Sequence, residues 1–211
     1  MSQFLTYAAT YPTPAEHTYG TNSCEFIIVH HTGTKHGTIK GVLDGLYRRA
    51  DYASCHYCVD INGDIYKIGN DTDILWHAGV SEWGGRSDMN RYSIGIEVIG
   101  IDSFTDAQRV SVKKLVRGLM LKHKIQPERV LRHADVAPNR KTDVHINFIL
   151  PLTKWTDWQN SLTNKAMLLD DTIRLLQSLW AKQNDEDKKA IGEMAKRLRD
   201  AQKALGEEVT Q

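Results

Sequence analysis

The stretch Ser93-Ile94-Gly95-Ile96-Glu97-Val98-Ile99 alternates without a break. Ile94, Ile96 and Val98 point one way and Ser93, Gly95 and Glu97 the other, the period-two pattern of a β-strand. Shortly after it, Thr105 and Gln108 have the spacing of a capping box. Behind them Val112, Leu115, Val116, Leu119 and Met120 recur on one helical face. A strand handing over to a one-faced helix is the unit of an α/β chain, and the unit also occurs upstream. Residues 25–30 read as a buried strand, and Thr38 caps a helix with Ile39, Val42, Leu43, Leu46 and Tyr47 on its apolar face. Segments 56–61 and 64–68 flank Asn62-Gly63, the sequence of a two-residue hairpin turn, and 128–131 make a short strand. This interleaving predicts an α/β fold, a central mixed β-sheet flanked by helices.

The segments around that frame are irregular. Residues 1–23, with Pro12 and Pro14, read as a loose arm packed on the domain. Residues 70–92 hold Trp76-His77-Ala78-Gly79, Trp83-Gly84-Gly85 and Arg86 with no regular period, and a loop of that length in a compact domain is usually functional. Phe148, Leu150, Trp155 and Trp158 finish the domain. From about residue 163 the composition shifts to dense, balanced charge, with nine basic and nine acidic residues between Lys165 and Glu208. Met167, Ile173, Leu176 and Trp180 share one helical face. Asn184 and Asp187 look like a cap and a first-turn acid. Ile191, Met194, Ala195, Leu198 and Leu205 continue a second apolar stripe. The division expected is a domain over 1–162 and a C-terminal amphipathic helical extension over 163–211, two antiparallel helices packed on the domain or on a second copy as a homodimer.

Composition narrows the function. The 211 residues carry 27 basic and 26 acidic side chains, a formal net charge of +1, so no strong field points to nucleic acid or to a membrane surface. No apolar run approaches a membrane span. The N-terminus lacks the basic and apolar regions of a signal peptide, so the expected place of synthesis is the cytoplasm. Cys24, Cys55 and Cys58 cannot form a fully paired framework. Three-residue spacing on a strand would turn Cys55 and Cys58 to opposite faces, so free, buried thiols are expected.

The chemistry gathers around Leu131-Arg132-His133-Ala134-Asp135-Val136-Ala137-Pro138-Asn139-Arg140-Lys141-Thr142-Asp143. Pro138 and Asn139 mark a loop. In a helix the ten residues from His133 to Asp143 would span roughly 15 Å, whereas a folded loop can bring both onto one ion. A histidine and an aspartate in one loop more often make a surface hydrogen bond. His30, at the end of the apolar run Phe26-Ile27-Ile28-Val29, changes that balance. Three N/O ligands with a fourth position for water is the arrangement of a catalytic zinc. A carboxylate that is not a ligand can take a proton from the water, and a lysine can stabilise an oxyanion. The set His30, Glu97, His133, Lys141 and Asp143 thus supplies the parts for metal-assisted hydrolysis of an amide. An ester would need the same parts.

Four motifs in order, Phe26-Ile27-Ile28-Val29-His30-His31-Thr32, Trp76-His77-Ala78-Gly79, Ser93-Ile94-Gly95-Ile96-Glu97 and His133 through Asp143, resemble the type 2 zinc N-acetylmuramoyl-L-alanine amidases. That family includes phage endolysin amidases, cytoplasmic anhydro-muropeptide amidases and peptidoglycan recognition proteins. The resemblance covers residues 25 to about 158. It implies a Zn2+ site over the sheet and cleavage between N-acetylmuramic acid and L-alanine, with the peptidoglycan stem peptide and muramic acid as partners. It implies His30 rather than His31, His133 and Asp143 as ligands, Glu97 as base and Lys141 in the lysine role. Cys55 replaces the tyrosine of many phage members, so the weight falls on Glu97; Val144-His145 replaces the usual Pro-Gly after the third ligand, a departure in the geometry of that loop. Trp76, His77 and Arg86 are expected to line the substrate groove, with Arg86 on a stem-peptide carboxylate. His56 reads as structural, His145 as a competitor of Asp143, and His17, His36 and His123 as surface residues. Three readings follow: an endolysin acting on the cell wall, favoured by the helical extension; a cytoplasmic recycling amidase; and a non-catalytic peptidoglycan-binding module.

Overall fold

The computed structural model describes residues 7–35, 37–48, 51–163, 173, 176 and 185–209. Ten strands are described: β1 (Ala9–Thr10), β2 (Thr18–Thr21), β3 (Phe26–His31), β4 (Tyr57–Val59), β5 (Ile65–Lys67), β6 (Asp73–Leu75), β7 (Glu82–Trp83), β8 (Arg86–Ser87), β9 (Ser93–Val98) and β10 (Val130–Arg132). The helices are α1 (Ile39–Tyr47), α2 (Asp106–His123), α3 (His133–Val136), α4 (Trp155–Ser161) and α5 (Asp185–Val209). Six strands form one sheet in the order β1-β5-β4-β9-β3-β10. Only the β4–β5 pair is antiparallel, so the sheet is mixed, as expected.

The alternation of β9 decides the layering. Ile94, Ile96 and Val98 join Ile27, Val29, Tyr57 and Val59 in one core, covered by Val112, Leu115, Val116 and Leu119 of α2 and by Trp155 and Trp158 of α4. Each fully buried aliphatic side chain there contributes roughly 1.5–3 kcal/mol of transfer free energy. The predicted capping box is formed: Thr105 Oγ1 accepts from Gln108 N–H, and Gln108 Oε1 accepts from Thr105 N–H. Trp155 and Gln159 both donate to the Val130 carbonyl and pin α4 to β10. On the opposite face α1, capped by Thr38 Oγ1 on Gly41 N–H, covers only the β4 side. On the β3–β10 side Ala78, Met89 and Val136 pack over Phe26, Ile28 and Leu131, so the site is left at the C-terminal ends of β3, β9 and β10.

Several expectations are corrected. The N-terminal arm is not loose from Tyr7 onward. Its β1 adds an edge strand beside β5, and its β2 pairs with β6. The β4–β5 turn is not a two-residue loop. Asp60 N–H donates to the Asp64 carbonyl, leaving three residues between them, and of Asn62 and Gly63 only the glycine takes a positive φ. The cause is the Asp60 carboxylate, which accepts from the N–H groups of Asn62 and Asp64 and widens the turn. The strand expected at 128–131 begins at Val130, after a 3-10 turn at Pro127–Arg129. Cys55 and Cys58 do not face opposite ways. Cys55 lies before β4, off the strand period, and both thiols sit in the cluster under α1 with Val42 and Leu43. Burial pushes both thiols well above the ordinary range, and all three cysteines are free. His17 is buried against the Ala53 carbonyl, and the half-buried His123 donates from Nε2 to the Asp71 carboxylate, so neither is a free surface residue; His36 lies outside the described residues. Leu150 is half exposed, unlike Phe148, Trp155 and Trp158.

The C-terminal helical extension is present as α5. Along its stripe Ala195 is buried and Met194 is 55% exposed, so the apolar face centres on Ala195, with Ile191 and Leu198 half buried. Ile173 and Leu176 are helical and Ile173 is buried, whereas Met167, Trp180 and the Asn184 cap lie outside the described residues. Among the described residues, no helix is long and apolar enough to cross a membrane.

Candidate metal centre and groove

Three neighbouring parallel strands end together at one edge of the sheet, where open α/β folds place their ligands. In the β3–β9 register His30 lies opposite Glu97, and in the β3–β10 register Val29 lies opposite Arg132. His133, one residue past β10, therefore emerges beside His30. It opens α3, a single helical turn where the sequence showed no periodicity. The loop after it folds back: Ala134 N–H donates to the Asp143 carbonyl at 2.6 Å, closing the ten-residue excursion and returning Asp143 to His133.

The resulting cluster is compact. His30 Nδ1 and His133 Nδ1 are 2.9 Å apart, His133 Nδ1 and Asp143 Oδ2 3.1 Å, and His30 Nδ1 and Asp143 Oδ2 3.4 Å. Donor atoms around a tetrahedral metal ion held at about 2.0–2.2 Å lie about 3.3–3.6 Å from one another, so the three side chains need to spread by only a few tenths of an ångström, about 0.2–0.7 Å, to hold such an ion. Among the described residues no other group of histidine, cysteine and acidic side chains makes such a cluster. His145, weighed as a competitor of Asp143, instead caps the next 3-10 turn by accepting from Asn147 N–H. His31 turns to the other side of β3, against Phe104.

The protonation states suit metal binding. Burial, reinforced by the neighbouring His133, holds the His30 imidazole down at about 4, so it is neutral near pH 7. Burial works against the ionised form of Asp143, but the contacts with His133 and His30 prevail and hold its carboxyl well below the usual carboxylate range. Outer partners orient both rings: His133 Nε2 lies 2.9 Å from the Ala78 carbonyl, and His30 Nε2 lies 3.0 Å from His77 Nδ1. A backbone carbonyl can only accept, so His133 Nε2 carries its proton and Nδ1 presents a lone pair to the cluster.

The cluster opens into a groove of about 510 Å³ whose walls include Glu97, Lys141, Trp76, Arg140 and the Gly41 and Gly45 face of α1. Trp76 lines it, braced edge-on by Tyr19. His77 reaches it only at its edge; the ring is buried beneath His30. Arg86 is not brought to the groove. Its guanidinium is taken by Glu25 at 2.6 Å and lies over the rings of Phe26 and Tyr92. Sequence reasoning passed over Arg140. It donates to the carbonyls of Ala78 and Val80 and ties the loop after His133 to the loop after Trp76. Its place beside Lys141 was the only available signal. His56 is structural, as read: its Nε2 meets the Asp73 carbonyl and its Nδ1 accepts from Gly95 N–H.

With this geometry in place, residues 20–146 match the family described as N-acetylmuramoyl-L-alanine amidase. The 1,6-anhydro-N-acetylmuramyl-L-alanine amidase AmpD of Haemophilus influenzae is 37% identical over 114 residues, 53% of this chain and 58% of that protein. The N-acetylmuramoyl-L-alanine amidase AmiD of Escherichia coli is 32% identical over 108 residues, 43% of this chain and 39% of that protein. The matches thus span about half the length of these curated relatives. The crystal structure of a selenomethionine AmpD derivative superposes with a TM-score of 0.62 at 25% identity, covering 78% of this chain and 98% of the other. AmiD from Escherichia coli, solved with the substrate anhydro-N-acetylmuramic acid-L-Ala-D-gamma-Glu-L-Lys, gives 0.54 at 28% identity, covering 65% and 58%.

Proposed function

The chain belongs to the N-acetylmuramoyl-L-alanine amidase family, and from that membership we propose that it is a zinc-dependent hydrolase of the amide between N-acetylmuramic acid and L-alanine, acting on soluble anhydro-muropeptides. The observation that supports this most is the buried His30–His133–Asp143 cluster opening onto a groove that also holds Glu97 and Lys141. Two imidazoles and a carboxylate are a donor set of catalytic zinc, which leaves one position open. A zinc ion held there supplies Lewis acidity, to activate water and to polarise the carbonyl of the scissile amide.

The remaining work falls to the chain itself. Glu97 stands across from His30 on the next strand, on the groove side of β9. In this reading its carboxylate takes the proton of the attacking water and returns it to the leaving amine of L-alanine. The Lys141 ammonium faces the charge that develops on the carbonyl oxygen and lowers the cost of the tetrahedral geometry. Trp76 offers a flat apolar wall to a sugar or peptide face. The chain carries all five residues, which argues against a non-catalytic binding module. The 1–162 segment is proposed as the catalytic unit and 163–211 as its helical extension.

The substrate preference rests on the relatives named above, two of which carry the anhydro sugar in their name or bound substrate. They favour the recycling-type reading over the endolysin reading with which the sequence began. The test is a pairwise assay of zinc-loaded protein on soluble anhydro-muropeptide and on intact sacculi. Release of L-alanyl peptides chiefly from the soluble fragments is expected. Release chiefly from sacculi would reinstate the endolysin, and no release from either would reject the amidase.

A further inference from the structure

The motif Trp76-His77-Ala78-Gly79 supplies the outer partner of both imidazoles in the metal cluster. Ala78 does so with its carbonyl, on His133 Nε2. His77 does so with its ring, on His30 Nε2. Hydrogen-bond donors can be assigned along that second line by elimination. Ser93 Oγ donates to the Met89 carbonyl at 2.6 Å, so toward His77 it presents only lone pairs. The Ser93 carbonyl also can only accept, and both oxygens lie 3.3 Å from His77 Nε2. His77 Nε2 must therefore carry the proton, and its Nδ1 is a bare acceptor. That acceptor faces His30 Nε2 at 3.0 Å, so the His30 proton sits on Nε2 and its lone pair on Nδ1. Nδ1 is the atom that meets His133 Nδ1 and Asp143 Oδ2.

The ring of His77 has little freedom to leave this line. Asn90 Oδ1 accepts from the N–H groups of both His77 and Ala78 and clamps the backbone. Beneath the ring lies Gly95, where a Cβ atom would come within 2.3 Å of His77 Cγ. The outward row of β9 thus has three tasks in sequence: Ser93 sets the His77 tautomer, Gly95 makes room for the ring, and Glu97 lines the groove.

We propose that His77 is a positioning residue that fixes His30 in the tautomer presenting Nδ1 to the metal, and that Ser93 and Gly95 hold His77 in that role. The proposal rests on the metal-dependent reading above but is tested without substrate. Zinc affinity of the full-length chain is measured by competition with a chelator of known strength. His77→Leu keeps bulk but removes the acceptor, and should weaken zinc binding about 10–100-fold, the usual cost of losing an outer partner of a ligand. His77→Asn can place its Oδ1 where Nδ1 stood, and should recover affinity to within a few-fold of wild type. Gly95→Ala leaves His77 chemically intact but displaces its ring, and should behave like His77→Leu; it decides the matter if His77→Leu does not fold. Equal zinc affinity in wild type, His77→Leu and Gly95→Ala would overturn the proposal. A fall in turnover with unchanged zinc affinity would also overturn it, and would return His77 to the groove as a substrate contact. Should the protein cleave no muropeptide at all, the zinc measurements still decide the role of His77.

Discussion

Replacing Asp71 with alanine should cost about 3–5 kcal/mol of folding stability without touching the metal cluster. The Asp71 side chain is buried between the sheet and the end of α2, where Tyr57 Oη donates to Oδ1 at 2.5 Å and Lys122 Nζ and His123 Nε2 both reach Oδ2 at 2.7 Å. Tyr57 is 1% exposed and its hydroxyl would keep only Tyr7 Oη, at 3.5 Å, so the lost bond costs roughly 1–3 kcal/mol, and the charge-assisted contact with the shielded His123 about as much again. The Lys122 side chain is 59% exposed, so its share is discounted to under about 1 kcal/mol. The sum is in the range found on removing one partner of a buried charged group. At about 2–4 °C per kcal/mol for a domain of this size, the midpoint should fall by roughly 6–20 °C. The pH dependence gives a second readout. Burial opposes ionisation of Asp71, but Lys122, Tyr57 and His123 outweigh it and hold the carboxyl at about 2. That lies below the ordinary value of about 3.9, so as pH falls the unfolded chain takes up the proton first. The stabilisation is complete above about pH 4, fades between about 4 and 2, and is absent below. Urea melts of wild type and Asp71→Asn at one metal loading should therefore differ most near pH 7 and converge near pH 2. A midpoint for Asp71→Ala within about 2 °C of wild type, or a gap indifferent to pH, would refute the reasoning.

Each of His30→Ala, His133→Ala and Asp143→Ala should abolish tight zinc retention through gel filtration, because three protein ligands are the set such a site requires; a full equivalent kept by His30→Ala would remove His30 from the assignment. Glu97→Gln should retain zinc and fold while losing about 10²–10⁴-fold in turnover, as expected for removal of a proton acceptor; zinc loss would make Glu97 a ligand instead. A chain ending at Thr163 should keep its zinc and its activity on soluble muropeptides. If α5 drives self-association, light scattering should give a dimer for the full chain and a monomer for the shortened one. A monomeric full chain excludes the dimer, and collapse of the shortened chain would place the extension inside the catalytic fold.

The layering of this protein was legible in sequence because it rests on period. Ile94, Ile96 and Val98 had one face to occupy, α2 carried its stripe and its capping box, and both appear as read. The candidate donors were legible too, since His30, His133 and Asp143, singled out by residue type, are brought together as a group that could hold a metal ion. Local polar chemistry escaped the pattern: the Asp60 carboxylate reshaped the Asn62-Gly63 turn, and Glu25 claimed Arg86. So did the shielding of His17 and His123, which meet the Ala53 carbonyl and Asp71, both more than thirty residues away. The deeper limit concerns which nitrogen of a ring faces what. Sequence alone places His77 in a long loop near the groove. Only the fold lays its ring on Gly95, closes its Nε2 against Ser93 and turns its Nδ1 to His30. The apolar pattern along the chain is a sum of short-range preferences and survives without the tertiary structure. Hydrogen-bond direction is a property of atoms that meet only after the strands have registered, so which ring nitrogens face one another at the candidate metal site is set by the packing of β3, β9 and β10.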